Sequence, residues 1–391
     1  MKETSDWTCS KSIIRPATGS HLVLSRRLFL SSFAGAGAGA CFAADQGQTY
    51  PTETKRYTDQ ATDFFVYRLT DPAHQSWLPS GYGRTISRRG NLMLYASDRS
   101  GTVQAYRMDL KPGQSHSLTN AASLQPWSLT MTPDERNFCY LDGPSLFMGS
   151  LGGGRTREVY KAAAGQEFGR GFSLSEDGLY AALVEQKAGS SRLRLITMRN
   201  GAAQTLAEAS DPISDPMPRP RRAGMLYRRG DGELWLVNFD GAQNRKLRLA
   251  PGGLGTALWS PDGRTVLYLN FPADKTQLNN VRECTPDTNE DKLVSKTSQF
   301  VSFNRNSDAS VLVGASGSKA SPFVLLLVRA VRRELTLCEH RATDPRAVTP
   351  IFSPNSQRIF FQSDRDGKMA IYYMVVDKLV EETETEEKPE K

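Results

Sequence analysis

Histidine and cysteine, the residues that most often bind metals or act as nucleophiles, are scarce in this sequence. The chain has four histidines and five cysteines among 391 residues. Those beyond the first 45 residues are His74, His116, His340, Cys139, Cys284 and Cys338. They are too scattered for a metal site of the usual spacing, and they imply no disulfide framework. The sequence therefore predicts no detectable cofactor site.

Two arginines are candidates for binding an anion. Arg219 lies in the stretch Asp215-Pro216-Met217-Pro218-Arg219-Pro220 and could pair with a carboxylate through two parallel hydrogen bonds. The alternative is a surface arginine in a proline-rich loop. Arg228 could supply positive charge, or act as a base if its pKa were lowered, and the alternative is a solvated charge in a hairpin.

Aromatic side chains supply a second kind of candidate. Trp77 and Tyr82 lie in one loop that also contains Arg84. The two rings could stack on a flat ligand such as a sugar ring. The alternative is that both rings pack inside the fold.

A short turn followed by an apolar strand recurs along the chain and must position these residues. The clearest copies are Ser260-Pro261-Asp262-Gly263, Thr132-Pro133-Asp134-Glu135, Ser175-Glu176-Asp177-Gly178 and Ser353-Pro354-Asn355-Ser356. With three weaker copies included, the gaps are 45, 43, 45, 40, 45 and 48 residues. About 40–45 residues is the length of a four-stranded propeller blade.

The strands support this architecture and also predict how the ring closes. Short apolar or alternating runs flank each turn, such as Trp127–Met131 before one turn and Asn137–Leu141 after it. The last repeat has only three strands, and the run Phe64–Leu69 is left over at the start. If this run supplied the missing strand, it would remove two open sheet edges. The sequence predicts an all-β fold, a seven-bladed β-propeller closed by an N-terminal strand.

The two ends of the chain differ from the body. Ser25-Arg26-Arg27-Leu28-Phe29-Leu30 precedes a short stretch of small residues, which resembles a twin-arginine export signal. Residues 1–43 are the predicted signal, 44–380 the propeller, and 381–391 an acidic disordered tail. We expect a periplasmic or secreted protein. A lipid anchor at Cys41 and a buried N-terminal helix are alternatives.

Charge and hydropathy limit the partners. The net charge is +7, the tail is acidic, and the body is therefore basic. A basic body favours an anionic partner, although scattered solubilising charge is an alternative. No run of Lys and Arg interleaves with aromatics, so nucleic acid is not expected. No apolar run reaches the roughly 18 residues that would span a bilayer.

Four stretches resemble the oligogalacturonate lyases, a family of pectin-degrading propellers. They are Arg68–Pro72, Leu94–Gly101, Leu234–Gly241 and Phe361–Asp364. Several of them also resemble the Tol-Pal-type propeller. Members of the lyase family cleave oligogalacturonate by β-elimination, which needs a base for the proton on C5 and positive charge beside the carboxylate.

The resemblance implies a manganese ion held by three histidines and a glutamine, with a catalytic arginine and histidine. The matching metal positions carry Thr256, Asp344, Ala347 and Thr349 instead. From these positions no metal site can be assembled.

The other family positions are kept in part. The catalytic arginine matches Arg219, the catalytic histidine falls on Arg228, and a histidine of the first-blade loop falls on Trp77. The resemblance implies an acidic oligosaccharide bound by Arg219, Arg228, Arg84 and the Trp77/Tyr82 platform, with Arg219 as the catalytic residue. The alternative function is a non-enzymatic periplasmic scaffold or binding module of the Tol-Pal type.

Overall fold

The computed structural model describes residues 46–274, 276–297 and 299–380. These residues form seven antiparallel sheets of four or five strands each. Successive sheets use successive parts of the chain, which gives the seven-bladed β-propeller that the repeat predicted. Within the described residues no helix is long and apolar enough to cross a membrane. The predicted signal and the acidic tail lie outside the described residues.

The strands are numbered in chain order. Before the first blade come β1 (Thr49–Tyr50), β2 (Lys55–Thr58) and β3 (Phe65–Arg68). Blade 1 has β4 (Ser76–Trp77), β5 (Leu92–Ser97), β6 (Gln104–Asp109) and β7 (Gln114–Ser117). Blade 2 has β8 (Thr130–Met131), β9 (Asn137–Asp142), β10 (Ser145–Ser150) and β11 (Thr156–Lys161). Blade 3 has β12 (Glu167–Leu174), β13 (Tyr180–Lys187), β14 (Ser190–Thr197) and β15 (Ala203–Ala209).

Blade 4 has β16 (Ile213–Pro218), β17 (Gly224–Arg229), β18 (Glu233–Asn238) and β19 (Arg245–Lys246). Blade 5 has β20 (Gly253–Trp259), β21 (Val266–Phe271), β22 (Asn279–Thr285) and β23 (Glu290–Thr297). Blade 6 has β24 (Phe300–Arg305), β25 (Val311–Ser316), β26 (Phe323–Val328) and β27 (Arg333–Glu339). Blade 7 has β28 (Ile351–Phe352), β29 (Arg358–Ser363) and β30 (Ala370–Val375) from the C-terminal part of the chain.

The N-terminal segment closes the ring at two blades. Strand β3 pairs with β30 and supplies the fourth strand of blade 7, as predicted. Strand β2 then adds a fifth strand outside β3, and β1 adds a fifth strand to blade 1 beside β7. The sequence pattern did not predict these two polar strands. One continuous segment therefore holds the first and last blades.

The recurring turn explains the period in the sequence. In the copy that begins at Ser260, the hydroxyl donates to Asp262 Oδ1 at 2.7 Å and accepts from the Thr265 backbone N–H at 3.0 Å. Thr132, Ser175 and Ser353 make the same pair of contacts in their blades. The side chain thus satisfies the backbone where each inner strand turns into the second strand.

Apolar side chains fill the space between neighbouring blades. Between blades 4 and 5, Trp259 packs in a cluster that includes Met217 and Leu236. The indole N–H donates to the Met217 carbonyl at 3.1 Å, so the one polar atom of the ring is satisfied. Burying each such side chain contributes roughly 1.5–3 kcal/mol.

Two local features differ from the sequence prediction. The strand predicted over Trp127–Met131 is wrong in its first half, where Pro126–Ser128 is a 3₁₀ helix and only Thr130–Met131 is a strand. Proline fixes φ and has no N–H for a sheet. A second 3₁₀ helix spans Pro345–Ala347, and one short α-helix, α1, spans Asp377–Val380.

Candidate functional site

Four consecutive inner strands are interrupted by a β-bulge. The register shifts between Phe168 and Phe172, Ser214 and Met217, Leu254 and Ala257, and Phe300 and Ser302. A bulge leaves residues unpaired and redirects their side chains. The bulge residues Arg170, Asp215, Thr256 and Val301 all line one cavity.

This cavity lies among the inner strands of blades 3 to 7 and has a volume of about 770 Å³. We call it the axial cavity. Its wall also includes the loop at Tyr82, Arg228 of β17, Arg346 of the second 3₁₀ helix, and Thr349. Its volume suits a small ligand of a few rings, because such sites usually measure about 300–1,000 Å³.

One glycine makes the bulge of blade 3 possible. Gly171 has φ of 106°, and a Cβ at this position would approach the Asp215 backbone nitrogen within 2.6 Å. Any side chain here would push blades 3 and 4 apart. Asp215 itself has φ of 49°, which places its carboxylate at the cavity wall at the cost of backbone strain.

Arg228 is held rigidly at the cavity wall. Its Nη2 donates to the Gly255 carbonyl at 2.6 Å, and its Nη1 donates to the Leu254 carbonyl at 3.3 Å. Its Nε lies 3.6 Å from Asp215 Oδ2. Burial lowers the pKa of Arg228, and the Asp215 carboxylate opposes that shift. Every one of these contacts uses an N–H donor, so Arg228 acts here as a fixed cation and not as a base.

Tyr82 joins the same cluster. Its hydroxyl donates to Asp215 Oδ1 at 3.4 Å. Burial raises the pKa of Tyr82 well above its usual value, and the Asp215 carboxylate adds to the shift. The phenol is therefore protonated at neutral pH and is a hydrogen-bond donor at the cavity wall.

The charges that line the axial cavity do not cancel. Arg170, Arg228 and Arg346 face two carboxylates, Asp215 and Asp231. Arg170 is mostly exposed, and its Nε lies 3.8 Å from Asp215 Oδ1, so it shares that carboxylate with Arg228. Among the described residues the exposed Arg346 guanidinium has no ion-pair partner. The cavity therefore favours an anionic ligand.

The structure separates the residues predicted to form one site. Tyr82 and Arg228 line the axial cavity, whereas Trp77, Arg84 and Arg219 are not among its lining residues. Trp77 packs against the apolar cluster of blades 1 and 2, which matches the packing alternative. Arg84 donates to the Glu176 carbonyl at 2.8 Å, and burial lowers its pKa.

Arg219 occupies the position of the recurring turn in blade 4. Its N–H donates to the Gly224 carbonyl at 2.7 Å, at the opposite end of β16 and β17 from Ser214 and Arg228. Its buried guanidinium makes a two-point contact with Asp287. The catalytic assignment of Arg219 stays a prediction, and the contacts on this face give the residue a structural role.

The residues at the family's metal positions do not fit a manganese ion. Thr256 and Thr349 line the axial cavity but carry only hydroxyls. Asp344 Oδ1 accepts from the Arg346 N–H at 2.9 Å, so it caps the 3₁₀ helix. Ala347 has no ligand atom. The described part of the chain contains no group of three or more His, Cys, Asp or Glu that could hold a metal.

The histidines lie elsewhere. His340 is fully buried, its Nε2 lies 3.0 Å from the Ser316 carbonyl, and its Nδ1 accepts from the Ala342 N–H at 3.0 Å. His116 lies between Thr49 and Asp109 on β7 of blade 1. Neither lines the axial cavity, and nor does His74.

Four charged residues of the cavity were not predicted from the sequence: Arg170, Asp215, Asp231 and Arg346. Two of them lie in bulges, which break the alternation from which inward and outward positions are predicted. A signal was present in Gly169-Arg170-Gly171, because glycine inside a strand often marks a bulge.

Fold and cavity together define a seven-bladed β-propeller with an arginine-lined axial cavity. No family model matches the sequence. An oligogalacturonide lyase of Pectobacterium atrosepticum is 22% identical over 382 residues, covering 84% of this chain and 97% of the relative. An oligogalacturonate lyase of Dickeya dadantii is 22% identical over 371 residues, covering 81% of this chain and 94% of the relative.

Solved structures show the same fold. An oligogalacturonate lyase in complex with manganese matches with a TM-score of 0.80 and 20% identity, over 84% of this chain and 98% of that structure. An oligogalacturonate lyase from Vibrio parahaemolyticus matches with a TM-score of 0.79 and 22% identity, over 86% of this chain and 100% of that structure. The protein is a distant homologue of the oligogalacturonate lyases over most of its length.

Proposed function

We propose that this propeller binds short acidic oligosaccharides of the pectin type in its axial cavity and does not use the metal-dependent elimination route. One observation carries the proposal: in a distant homologue of the oligogalacturonate lyases, three arginines and two carboxylates line the cavity. Arginine recognises a uronate carboxylate through its planar, two-point geometry. Tyr82 adds a neutral donor suited to a sugar hydroxyl.

The loss of the metal route follows from the chemistry that elimination requires. Removing the C5 proton leaves negative charge beside the uronate carboxylate, and a metal ion stabilises that charge. Thr256 and Thr349 supply no histidine nitrogen to hold such an ion. A base is also needed, and Arg228 is held as a donor by the carbonyls of Leu254 and Gly255.

Calorimetry and absorbance test the proposal together. The purified protein is dialysed against EDTA and titrated with digalacturonate and trigalacturonate, with cellobiose as the neutral control. We expect binding to the two acids and none to cellobiose. Absorbance of the unsaturated uronate product is then followed with and without added manganese, and we expect no rise.

Each other outcome has a definite meaning. Absence of heat with both acids would refute the proposal and would leave a scaffold function of the Tol-Pal type. A rise in absorbance that needs manganese would show that the metal route is intact.

We also propose that the protein acts outside the cytoplasm. The support is the pair Arg26-Arg27 followed by an apolar stretch of small residues. Replacing both arginines with lysine should keep the precursor in the cytoplasmic fraction of a host with twin-arginine export. Unchanged export of that variant would contradict the assignment.

A further inference from the structure

The three arginines of the axial cavity differ in how many hydrogen bonds and carboxylate contacts their guanidinium groups already make. Arg228 donates to the carbonyls of Leu254, Gly255 and Asp231, and it faces the Asp215 carboxylate. Arg170 lies 3.8 Å from the same carboxylate. The Asp215 carboxylate thus neutralises part of the charge of both guanidinium groups, even when no ligand is bound.

Arg346 is different because, among the described residues, only its backbone makes a hydrogen bond. Its N–H donates to Asp344 Oδ1 at 2.9 Å, which caps the 3₁₀ helix that begins with Pro345. The side chain is exposed, lines the axial cavity, and has no ion pair with another described residue. No described residue uses its five N–H donors, which can therefore meet an anion.

The backbone that carries Arg346 is fixed from the other side as well. The Ala347 carbonyl accepts from Gln362 Nε2 at 2.6 Å, and Gln362 Oε1 accepts from the Leu78 N–H at 2.8 Å. Gln362 is buried in β29. The short helix is therefore tied to blade 7 and to the loop of blade 1, so only side-chain freedom is lost when Arg346 binds a ligand.

We propose that Arg346 binds a carboxylate of the ligand directly. Its guanidinium then supplies the positive charge that a metal ion would supply, because the cavity has no ligands to hold such an ion. This inference rests on the proposed function and names the residue that would select for acid. It predicts that binding is independent of divalent metal. It also predicts that the free uronate is preferred over its methyl ester, because esterification removes the charge that the guanidinium meets.

The test compares Arg346→Gln and Arg346→Lys with the wild type in EDTA. We expect Arg346→Gln to raise the Kd for digalacturonate at least tenfold. Arg346→Lys should raise it less, since lysine keeps the charge and loses the two-point geometry. The control is Arg89→Gln, which removes the same charge from an exposed position in the turn of blade 1. It should change the Kd by less than twofold. Thermal unfolding checks that all variants fold.

A second ligand makes the result specific. Fully methyl-esterified digalacturonate should bind the wild type more weakly than the acid, and Arg346→Gln should reduce or abolish that preference. If the wild type binds the acid and Arg346→Gln binds it equally well, the assignment of Arg346 is wrong while the proposed function stands. Binding that disappears in EDTA also overturns it. If the wild type binds neither acid, both proposals fall.

Discussion

Arg219 and Asp287 join blades 4 and 5 through two parallel hydrogen bonds. Nη1 donates to Oδ1 at 3.0 Å and Nη2 donates to Oδ2 at 2.9 Å. The Arg219 side chain is only 6% exposed, and its guanidinium lowers the pKa of Asp287. Nε donates to the Gly263 carbonyl at 2.7 Å, and the group stacks on Trp259. The residue that resembles a catalytic arginine is thus a clamp between blades.

This clamp should matter for stability and not for the axial cavity. We expect Arg219→Gln to lower the free energy of unfolding by about 2–3 kcal/mol, because the Gly263 carbonyl and the Asp287 carboxylate lose a charged donor. Its affinity for digalacturonate should equal that of the wild type. Urea denaturation and calorimetry measure the two effects on the same preparation.

Arg222 offers a matched control for that experiment. It also donates to Asp287, at 2.7 Å, but its side chain is 52% exposed. Arg222→Gln should cost less than about 1 kcal/mol, as exposed ion pairs usually do. Wild-type stability of Arg219→Gln combined with lost ligand binding would instead support the catalytic assignment.

The fold was predictable because the turn of each repeat depends on side-chain hydrogen bonds that need particular residue types. Ser175, Ser260 and Ser353 each bond to the residue two positions on, so the same residue types recur once per blade. The closing strand was predictable because Val66 and its neighbours are apolar. Strands β1 and β2 were not, since they add to outer edges with mostly exposed polar residues and carry no alternating pattern.

The site was predictable only in part. Tyr82 was found as an aromatic side chain of the first-blade loop and Arg228 through the resemblance, and both line the axial cavity. Arg219 was assigned as catalytic from its match to the family's arginine, and that role stays a prediction. It lies 44 residues after Ser175 and 41 before Ser260, which is the phase of the turn. Arg346 follows no pattern, because only the folded path of the chain brings it beside blade 6.

The pair formed by Arg228 and Asp215 should be energetically coupled. We expect Arg228→Gln to destabilise the protein by about 2–3 kcal/mol, since the carbonyls of Leu254 and Gly255 lose a charged donor. A double-mutant cycle with Asp215→Asn should give an interaction energy of about 1 kcal/mol. Chemical denaturation of the four proteins measures it.

The neighbouring pair Arg229 and Asp211 is the control for that cycle. Arg229 follows Arg228 in β17, and its Nε lies 3.1 Å from Asp211 Oδ2, but the aspartate side chain is 59% exposed. Its interaction energy should stay below about 0.5 kcal/mol. Equal coupling in the two pairs would mean that burial at the cavity wall adds nothing.

His340 should make stability depend on pH. Burial lowers its pKa below the usual value of 6.5. The unfolded chain therefore binds the proton more readily, so the stability is full above about pH 6.5 and is lost as the pH falls below it. One such group changes the free energy of unfolding by at most about 1.4 kcal/mol per pH unit.

Denaturation of His340→Gln between pH 7.5 and 5 checks this expectation. The variant should show a shallower fall in stability than the wild type, whatever its absolute stability. An unchanged slope in His340→Gln would place the acid sensitivity in another group.

The closing strand β3 offers two neighbouring residues that face opposite ways. Val66 is 0% exposed in the apolar core between blades 6 and 7, whereas Phe65 is 52% exposed. We expect Val66→Asp to lower the free energy of unfolding by at least about 3 kcal/mol, because a carboxylate would be buried without a partner. Phe65→Asp should cost less than about 1 kcal/mol. Because β3 joins the two ends of the ring, the first variant should weaken the whole propeller in one transition. A separate early transition in urea, or equal midpoints for the two variants, would show that the ring holds together without this strand.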